Sequence, residues 1–129
     1  MNVRKSKSNI EFLRDSEVVQ TVFPYTTNNP TPDYRTIVEF TQPVNSYRLF
    51  TRIDLSSTDT VLVYFKIVRQ NTILFEETYD PNRGATETFL ASPESIRLDP
   101  GETISFQIKQ SVSQQRDFYL NLAWINFPN

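Results

Sequence analysis

The chain has 129 residues, 38% of them hydrophobic and 22% charged, so it is long enough to bury one core and too apolar for a disordered protein. It contains neither cysteine nor histidine, which excludes disulfides, the common nucleophile and base pairs of catalysis, and metal sites built from those two ligands. The formal net charge is −2, and it is unevenly distributed along the chain.

Residues 1–9 are predicted to form a basic N-terminal arm, because they carry Arg4, Lys5 and Lys7 and no acidic residue. Such an arm is either a solvated tail or a segment that docks on an acidic neighbour. Three charges are too few to indicate nucleic-acid binding, which uses a broader basic surface. No apolar run approaches the ~20 residues of a membrane-spanning helix, so residues 10–129 are expected to form one soluble domain without a membrane partner.

The rest of the chain is predicted to be nearly all β-structure, because runs of β-branched and aromatic residues alternate with turn residues at short intervals. The predicted strands cover residues 18–23, 34–41, 46–54, 60–69, 72–79, 86–91, 103–110 and 117–126. The first strand is expected to end at Pro24. This spacing predicts an all-β, antiparallel two-sheet β-sandwich of about eight strands with a jelly-roll-like arrangement.

Alternation along two strands indicates which side chains face the core. One strand directs Val61, Val63, Phe65 and Ile67 to one side, and another directs Ile104, Phe106 and Ile108 to one side.

Two turns have recognisable chemistry. Asp99-Pro100-Gly101-Glu102 has the pattern of a type II turn, and Gln70-Asn71 is expected to close a tight hairpin with Asn71 tolerating a positive φ.

Two strands are apolar on both faces. The second faces contain Leu62, Tyr64 and Val68 in one strand, and Tyr119, Ala123, Ile125 and Phe127 in the last strand. Either another part of the chain covers these faces, as for a central strand, or they form an assembly interface.

Few residues are candidates for catalysis, metal binding or ligand binding. Carboxylates such as Glu76 and Glu77 would serve a hydrolase only if two of them faced each other across a cleft, and residues 80–84 are read as a turn in preference to a calcium site. Exposed rings at Tyr25, Tyr34 or Trp124 would suit a sugar or protein ligand, although most rings in a small sandwich belong to the core. We therefore expect no enzymatic activity, no metal and no cofactor.

The closing part of the chain carries a family resemblance. The run IRLDPGETISF at residues 96–106, followed by FYLNLAWI at residues 118–125, resembles the closing strands of jelly-roll heads of the C1q and tumour-necrosis-factor class. It is also similar to the small β-sandwich accessory proteins of phage virions. The virion resemblance implies a compact β domain that binds a shell or a tail, often as a trimer.

These observations together favour a non-enzymatic structural or assembly protein. The expected role is that of a virion component, a capsid decoration (cement) or tail-associated protein that binds a protein lattice and forms a homo-oligomer, with a trimer favoured. The alternative is a carbohydrate- or receptor-binding module, located outside the cell or in the cytoplasm. The residues expected to contact a partner are Arg4, Lys5, Lys7, Tyr25, Tyr34, Tyr119, Ile125 and Phe127.

Overall fold

The computed structural model describes residues 17–27, 33–57, 63–79, 86–110 and 115–128, and these residues contain strands and turns but no helix. The nine strands are β1 (Glu17–Thr27), β2 (Arg35–Thr41), β3 (Ser46–Ser57), β4 (Val63–Arg69), β5 (Thr72–Tyr79), β6 (Thr86–Leu90), β7 (Ile96–Leu98), β8 (Thr103–Gln110) and β9 (Arg116–Pro128). The prediction of an all-β chain is confirmed.

The strands form two antiparallel sheets with a jelly-roll topology. Sheet A has the order β1-β9-β3-β6, with β7 also paired to β3, and sheet B has the order β2-β8-β4-β5. In both sheets strands from the two ends of the chain are neighbours, β1 with β9 and β2 with β8. Such long-range pairing between two sheets is that of a jelly-roll sandwich.

The core lies between the inner faces of the two sheets. Val63, Phe65 and Ile67 of β4 face it, as do Ile104 and Phe106 of β8, each at most 1% exposed, so the predicted alternation is confirmed for the described residues. Four rings from both sheets form its centre, with centroid separations of 5.2 to 6.3 Å: Phe40, Phe50, Phe106 and Trp124. Val61 lies outside the described residues.

Three strands run further than the sequence predicted: β1, β3 and β9, the last of which ends at Pro128 and not at residue 126. β1 does not end at Pro24 but continues to Thr27, with Pro24 opposite Tyr119 of β9. Because β1 is an edge strand of sheet A, a residue without an N–H group disrupts at most one side of its ladder. β3 likewise continues to Ser57, whose Oγ donates a hydrogen bond to the carbonyl of Asp117, 2.8 Å away.

The strand β7 was missed by the sequence analysis. It has three residues, too few to show any periodicity, and it exists because Arg48 to Phe50 of β3 pair with Ile96 to Leu98. β6 pairs with the later part of β3, so β6 and β7 together occupy one edge of sheet A.

One of the two predicted turns is confirmed and the other differs in detail. Gly101 has a φ of 81° and the N–H of Glu102 donates to the carbonyl of Asp99 over 3.0 Å, as a type II turn requires. In the β4–β5 hairpin the positive φ of 55° falls on Gln70, and the expectation for Asn71 was wrong. Gln70 is held there by Thr103: its N–H donates to the Thr103 carbonyl, and its Oε1 accepts from the Thr103 N–H, both over 2.8 Å.

We expect Gly101→Ala to lower the free energy of unfolding by about 1 kcal/mol, because an alanine at positive φ is strained. No atom lies within 4 Å of the position a Cβ would take, so steric clash contributes nothing to this loss. Urea denaturation measures the effect. Asn71→Ala, in an exposed turn without positive φ, is the control and should change stability by less than about 0.5 kcal/mol; equal losses in both variants would refute the conformational explanation.

Candidate interaction surfaces

The outer face of sheet A carries exposed apolar side chains on its first three strands, next to polar groups that include the ion pair of Arg52 and Asp54. Val18 of β1, Ile125 of β9 and Leu49 of β3 lie side by side in register. Val18 is 68% exposed, Val22 is 52% exposed and Tyr119 is 39% exposed, whereas Ile125 and Leu49 are half-buried. We name these five residues the apolar face; such a cluster of exposed apolar groups is typical of contact sites.

The sequence placed two residues of this face among the expected contacts, Tyr119 and Ile125. A third, Phe127, is only 7% exposed because its ring stacks on that of Tyr47, with centroids 4.9 Å apart, and Arg97 covers Tyr47 at 3.9 Å. Phe127 therefore supports the end of sheet A and presents little surface of its own.

The other expected contacts are scattered. Tyr25 is half-buried and packs against the core, and Tyr34 lies on the opposite sheet. Arg4, Lys5 and Lys7 lie outside the described residues.

Tyr34 lies over the outer face of sheet B in a cluster of charged and aromatic groups. Its hydroxyl donates a hydrogen bond to Glu76 Oε2, 2.9 Å away, and Lys66 Nζ lies 4.0 Å from its ring centroid. Lys109 Nζ stands 5.0 Å from the centroid of Tyr34 and 4.9 Å from that of Tyr64. Cations at these distances are attracted by the ring quadrupole, so the cluster holds the Tyr34 ring in place.

Beside this ring is a depression of about 380 Å³ that we name the tyrosine pocket. Its lining residues are Tyr34, Tyr64, Glu76, Glu77, Thr78 and Lys109. The environment raises the pKa of Tyr34 to about 12, first because burial disfavours the phenolate and second because the hydroxyl donates to the Glu76 carboxylate. Tyr34 thus remains a neutral hydrogen-bond donor well above neutral pH.

Trp124 is not a surface ring, and its place among the candidate ligand rings was wrong. It is 7% exposed, in the core next to Phe40 and Phe50. The guanidinium of Arg48 lies 4.7 Å from the ring centroids of both Phe40 and Trp124, and Arg48 Nε donates to Asn126 Oδ1 over 3.0 Å. Arg48 therefore closes one end of the core.

A groove that the sequence did not reveal opens where β5 faces β6 and β7. It encloses about 520 Å³. Its walls are apolar and its rim is charged, with Ile67, Leu74, Phe75, Phe89, Leu90 and Ile96 inside and Arg69, Glu94, Ser95 and Arg97 around them. We name it the edge groove.

Two β-bulges face each other across this groove. In β5 the register with β4 shifts so that Ile73 and Phe75 have partners and Leu74 is the extra residue. In β6 the register with β3 shifts so that Thr88 and Leu90 have partners and Phe89 is the extra residue. Each bulge brings two consecutive large apolar side chains to the groove, and bulges commonly re-aim side chains at functional sites.

Several carboxylates of the described part of the chain are engaged in local hydrogen bonds or ion pairs. Asp99 pairs with Arg97, the carboxylate of Glu102 accepts the N–H of Asp99, and Glu76 accepts from Tyr34. No group of three or more potential ligands that could hold a metal ion occurs among the described residues. The proposed calcium alternative at residues 80–84 lies outside them.

Comparison with known proteins supports the fold. No family model matches the chain, and no curated protein matches it. A chain in the acidic stable capsid structure of Helicobacter pylori bacteriophage KHP30 is 10% identical with a TM-score of 0.52, and the match covers 85% of this chain and 92% of that one. A chain of infectious bursal disease virus, Gx strain, is 10% identical with a TM-score of 0.48, covering 88% of this chain.

The present chain spans 32% of that bursal disease virus chain, about a third of its length. A chain of the Bacillus endospore appendages is 13% identical with a TM-score of 0.43, and the match covers 88% of this chain and 89% of that one. Identities this low show a shared fold alone. The phage match, with its TM-score above 0.5, confirms at the level of fold the predicted resemblance to β-sandwich proteins of phage virions.

Among the described residues, the structure has no helix of the length and hydropathy that crossing a membrane requires.

We expect the absorbance of tyrosinate to show one phenol that titrates near pH 12 in the folded protein and disappears in Tyr34→Phe. Burial also raises the pKa of Tyr79, so the assignment depends on the difference between wild type and this variant. Glu76→Gln should lower the Tyr34 pKa towards its ordinary value of about 10, because the charged acceptor is removed.

The same shift links Tyr34 to stability. A pKa raised by folding contributes stability that is complete below about pH 10 and is lost as the pH rises towards 12.

Glu77→Gln is the matched control for Glu76→Gln, since it removes a neighbouring carboxylate of the tyrosine pocket and keeps the hydrogen bond of Tyr34. An equal number of phenols titrating at high pH in wild type and in Tyr34→Phe would refute the assignment.

Proposed function

We propose that this chain is a non-enzymatic structural component of a virus particle, a capsid-decoration or tail-associated protein that binds a lattice of other virion proteins. The proposal rests on the apolar face, because exposed apolar side chains on a folded sandwich indicate a contact with another protein. The phage capsid match supports it, because it covers most of both chains and the two are therefore similar in size. A single small jelly-roll domain suits an accessory role on a shell or tail.

The apolar face has the properties of a protein contact. Val18, Val22 and Tyr119 together expose a patch of aliphatic and aromatic surface whose removal from water contributes about 25 cal/mol per Å². Tyrosine is enriched among the residues that dominate binding energy. A face whose backbone is fixed by hydrogen bonds within a sheet also loses little conformational entropy on docking, which favours affinity.

The outer face of sheet B is a poorer candidate for this contact. It carries Lys66, Lys109 and Glu76, whose charges are engaged with tyrosine rings and a hydroxyl. Burying these groups against another protein would require desolvating them, and this costs free energy unless each is paired. Sheet A exposes three large apolar side chains, and its charges at Arg52 and Asp54 are already paired with each other, so we propose that sheet A faces the lattice and sheet B faces away from it.

A second candidate function, carbohydrate binding, is favoured by the tyrosine pocket alone. Trp124 and Tyr25 pack inwards, so Tyr34 is the remaining ring of the three candidates that lies on a surface. Its pocket combines an aromatic ring with the carboxylate of Glu77, the hydroxyl of Thr78 and the ammonium of Lys109, groups that can exchange hydrogen bonds with a sugar.

The proposed role predicts that the chain is found in many copies in virus particles purified through a density gradient, as detected by mass spectrometry. Absence from those particles, while the chain is abundant in the unassembled fraction, would contradict the proposal.

The proposed orientation is tested by rebinding purified protein to particles made without it. Val22→Lys should weaken binding about tenfold or more, because it places a charge in the buried contact. Ile73→Lys is the matched control: Ile73 is 53% exposed against 52% for Val22, but it lies in sheet B, so this variant should bind like wild type. Loss of binding in Ile73→Lys alone would place the contact on sheet B instead.

A further inference from the structure

The edge groove has the features of a built binding site. Two bulges place Leu74 and Phe75 of one sheet and Phe89 and Leu90 of the other along a single groove, in which the rings of Phe75 and Phe89 are in contact with centroids 5.2 Å apart. Its volume of about 520 Å³ lies within the range of roughly 300–1,000 Å³ found for ligand pockets. Apolar walls with a charged rim fit an apolar segment that carries charges at its ends.

We propose that the edge groove of one copy binds residues 10–15 of a second copy of this chain. This segment, Ile-Glu-Phe-Leu-Arg-Asp, has apolar residues at positions 10, 12 and 13 and acidic residues at positions 11 and 15. It precedes β1 and lies outside the described residues. The inference goes beyond the proposed function and does not require the protein to bind a virion.

The charges of the segment complement those of the rim. Arg69 Nη1 donates a hydrogen bond to the Arg97 carbonyl over 2.7 Å, which places the Arg69 guanidinium at one end of the groove, whereas the Arg97 guanidinium pairs with Asp99 and covers Tyr47. Arg69 is complementary to the acidic residues Glu11 and Asp15 of the segment, and Glu94 on the rim is complementary to its Arg14. Complementary charges of both signs around an apolar centre fix the direction of a bound segment more than they add to its affinity.

Distance along the chain favours a second copy over the same copy. One row of paired residues crosses sheet A from β1 to β7: Glu17, Asn126, Arg48 and Leu98. Three strand spacings of about 4.8 Å separate its ends by about 14 Å.

Within the same copy, the few residues between the segment and Glu17 are too short for the whole segment to cross this distance. Asp15 is two residues from Glu17 and reaches at most about 7 Å from it, and Phe12, five residues away, reaches about 18 Å only when fully extended. An extended link that long would bring Phe12 to the near end of the groove and would leave Asp15 well short of it. A neighbouring copy can present the whole segment without this constraint.

A contact of this kind is heterologous, since the segment of one copy meets the groove of the next. Such contacts close into a ring when the rotation between copies allows it and otherwise extend as a filament. The groove therefore provides a physical route to the cyclic trimer that the sequence favoured.

Light scattering of the full-length protein, at two concentrations that differ tenfold, tests the proposal. Wild type should form a defined oligomer, and Leu74→Lys in the groove and Phe12→Ser in the segment should each raise its dissociation constant about tenfold or more. The matched controls should keep the wild-type mass. Ile73→Lys, next to Leu74 in β5 but outside the groove, is the control for Leu74→Lys, and Val3→Ser, before the segment, is the control for Phe12→Ser.

The outcomes separate cleanly. A monomeric wild type at both concentrations overturns the proposal. Loss of the oligomer in Leu74→Lys but not in Phe12→Ser also overturns it, because another part of the second copy then fills the groove. If Leu74→Lys does not fold, as judged by near-ultraviolet circular dichroism, Phe12→Ser against Val3→Ser decides alone. Presence in purified particles is measured separately, so failure of this inference is distinguishable from failure of the proposed function.

Discussion

The packing of β3 and β9 against β4 and β8 is the contact on which the rest of the structure depends. These four central strands contribute most of the side chains that are fully buried, and the sheets are joined by ring contacts of Phe50 with Phe106 and of Trp124 with Phe40 of β2. Neither sheet could bury its apolar face alone, and the chain has no cysteine to supply a disulfide in place of that burial. The surface features lie on these central strands and on the edge strands attached to them.

The two edges of the sandwich differ in a way that bears on function. On one side Phe23 of β1 packs edge-on against Phe40 of β2 at 5.8 Å and closes the gap between the sheets. On the other side Phe75 of β5 packs against Phe89 of β6 at 5.2 Å, and the edge groove lies beside these rings, at the bulges of both strands. The outer faces differ too: sheet A exposes Val18, Val22 and Tyr119 beside the ion pair of Arg52 and Asp54, whereas tyrosines and lysines cluster on sheet B.

Much of the fold could be predicted from the sequence, because period-two alternation is strong in β4 and β8 and turn residues such as Pro100 and Gly101 mark the corners. β7 could not be predicted, since three residues carry no periodicity and their pairing depends on β3, about fifty residues earlier. The positive φ moved from Asn71 to Gln70 for a similar reason: hydrogen bonds from Thr103 of another strand outweigh the intrinsic preference of asparagine.

The candidate surfaces were only partly within reach of sequence reasoning. Tyr119 and Ile125 could be found because alternation alone assigns them to the face opposite the core. Trp124 is adjacent to Ile125 in β9, so the same alternation directs it to the opposite face, which is the core. Only its residue type suggested a surface ring. The edge groove was invisible because it arises from register shifts between strands distant in sequence, and a bulge leaves no reliable mark on the pattern of a single strand.

Hydroxyl-radical footprinting of the protein, free and bound to virus particles, would test most directly whether sheet A faces the lattice. The account predicts that oxidation of Tyr119, Val18 and Val22 falls strongly on binding, while oxidation of Tyr34 on sheet B stays at its level in the free protein. Protection of Tyr34 together with unchanged oxidation of Tyr119 would contradict the account and would assign the contact to the outer face of sheet B.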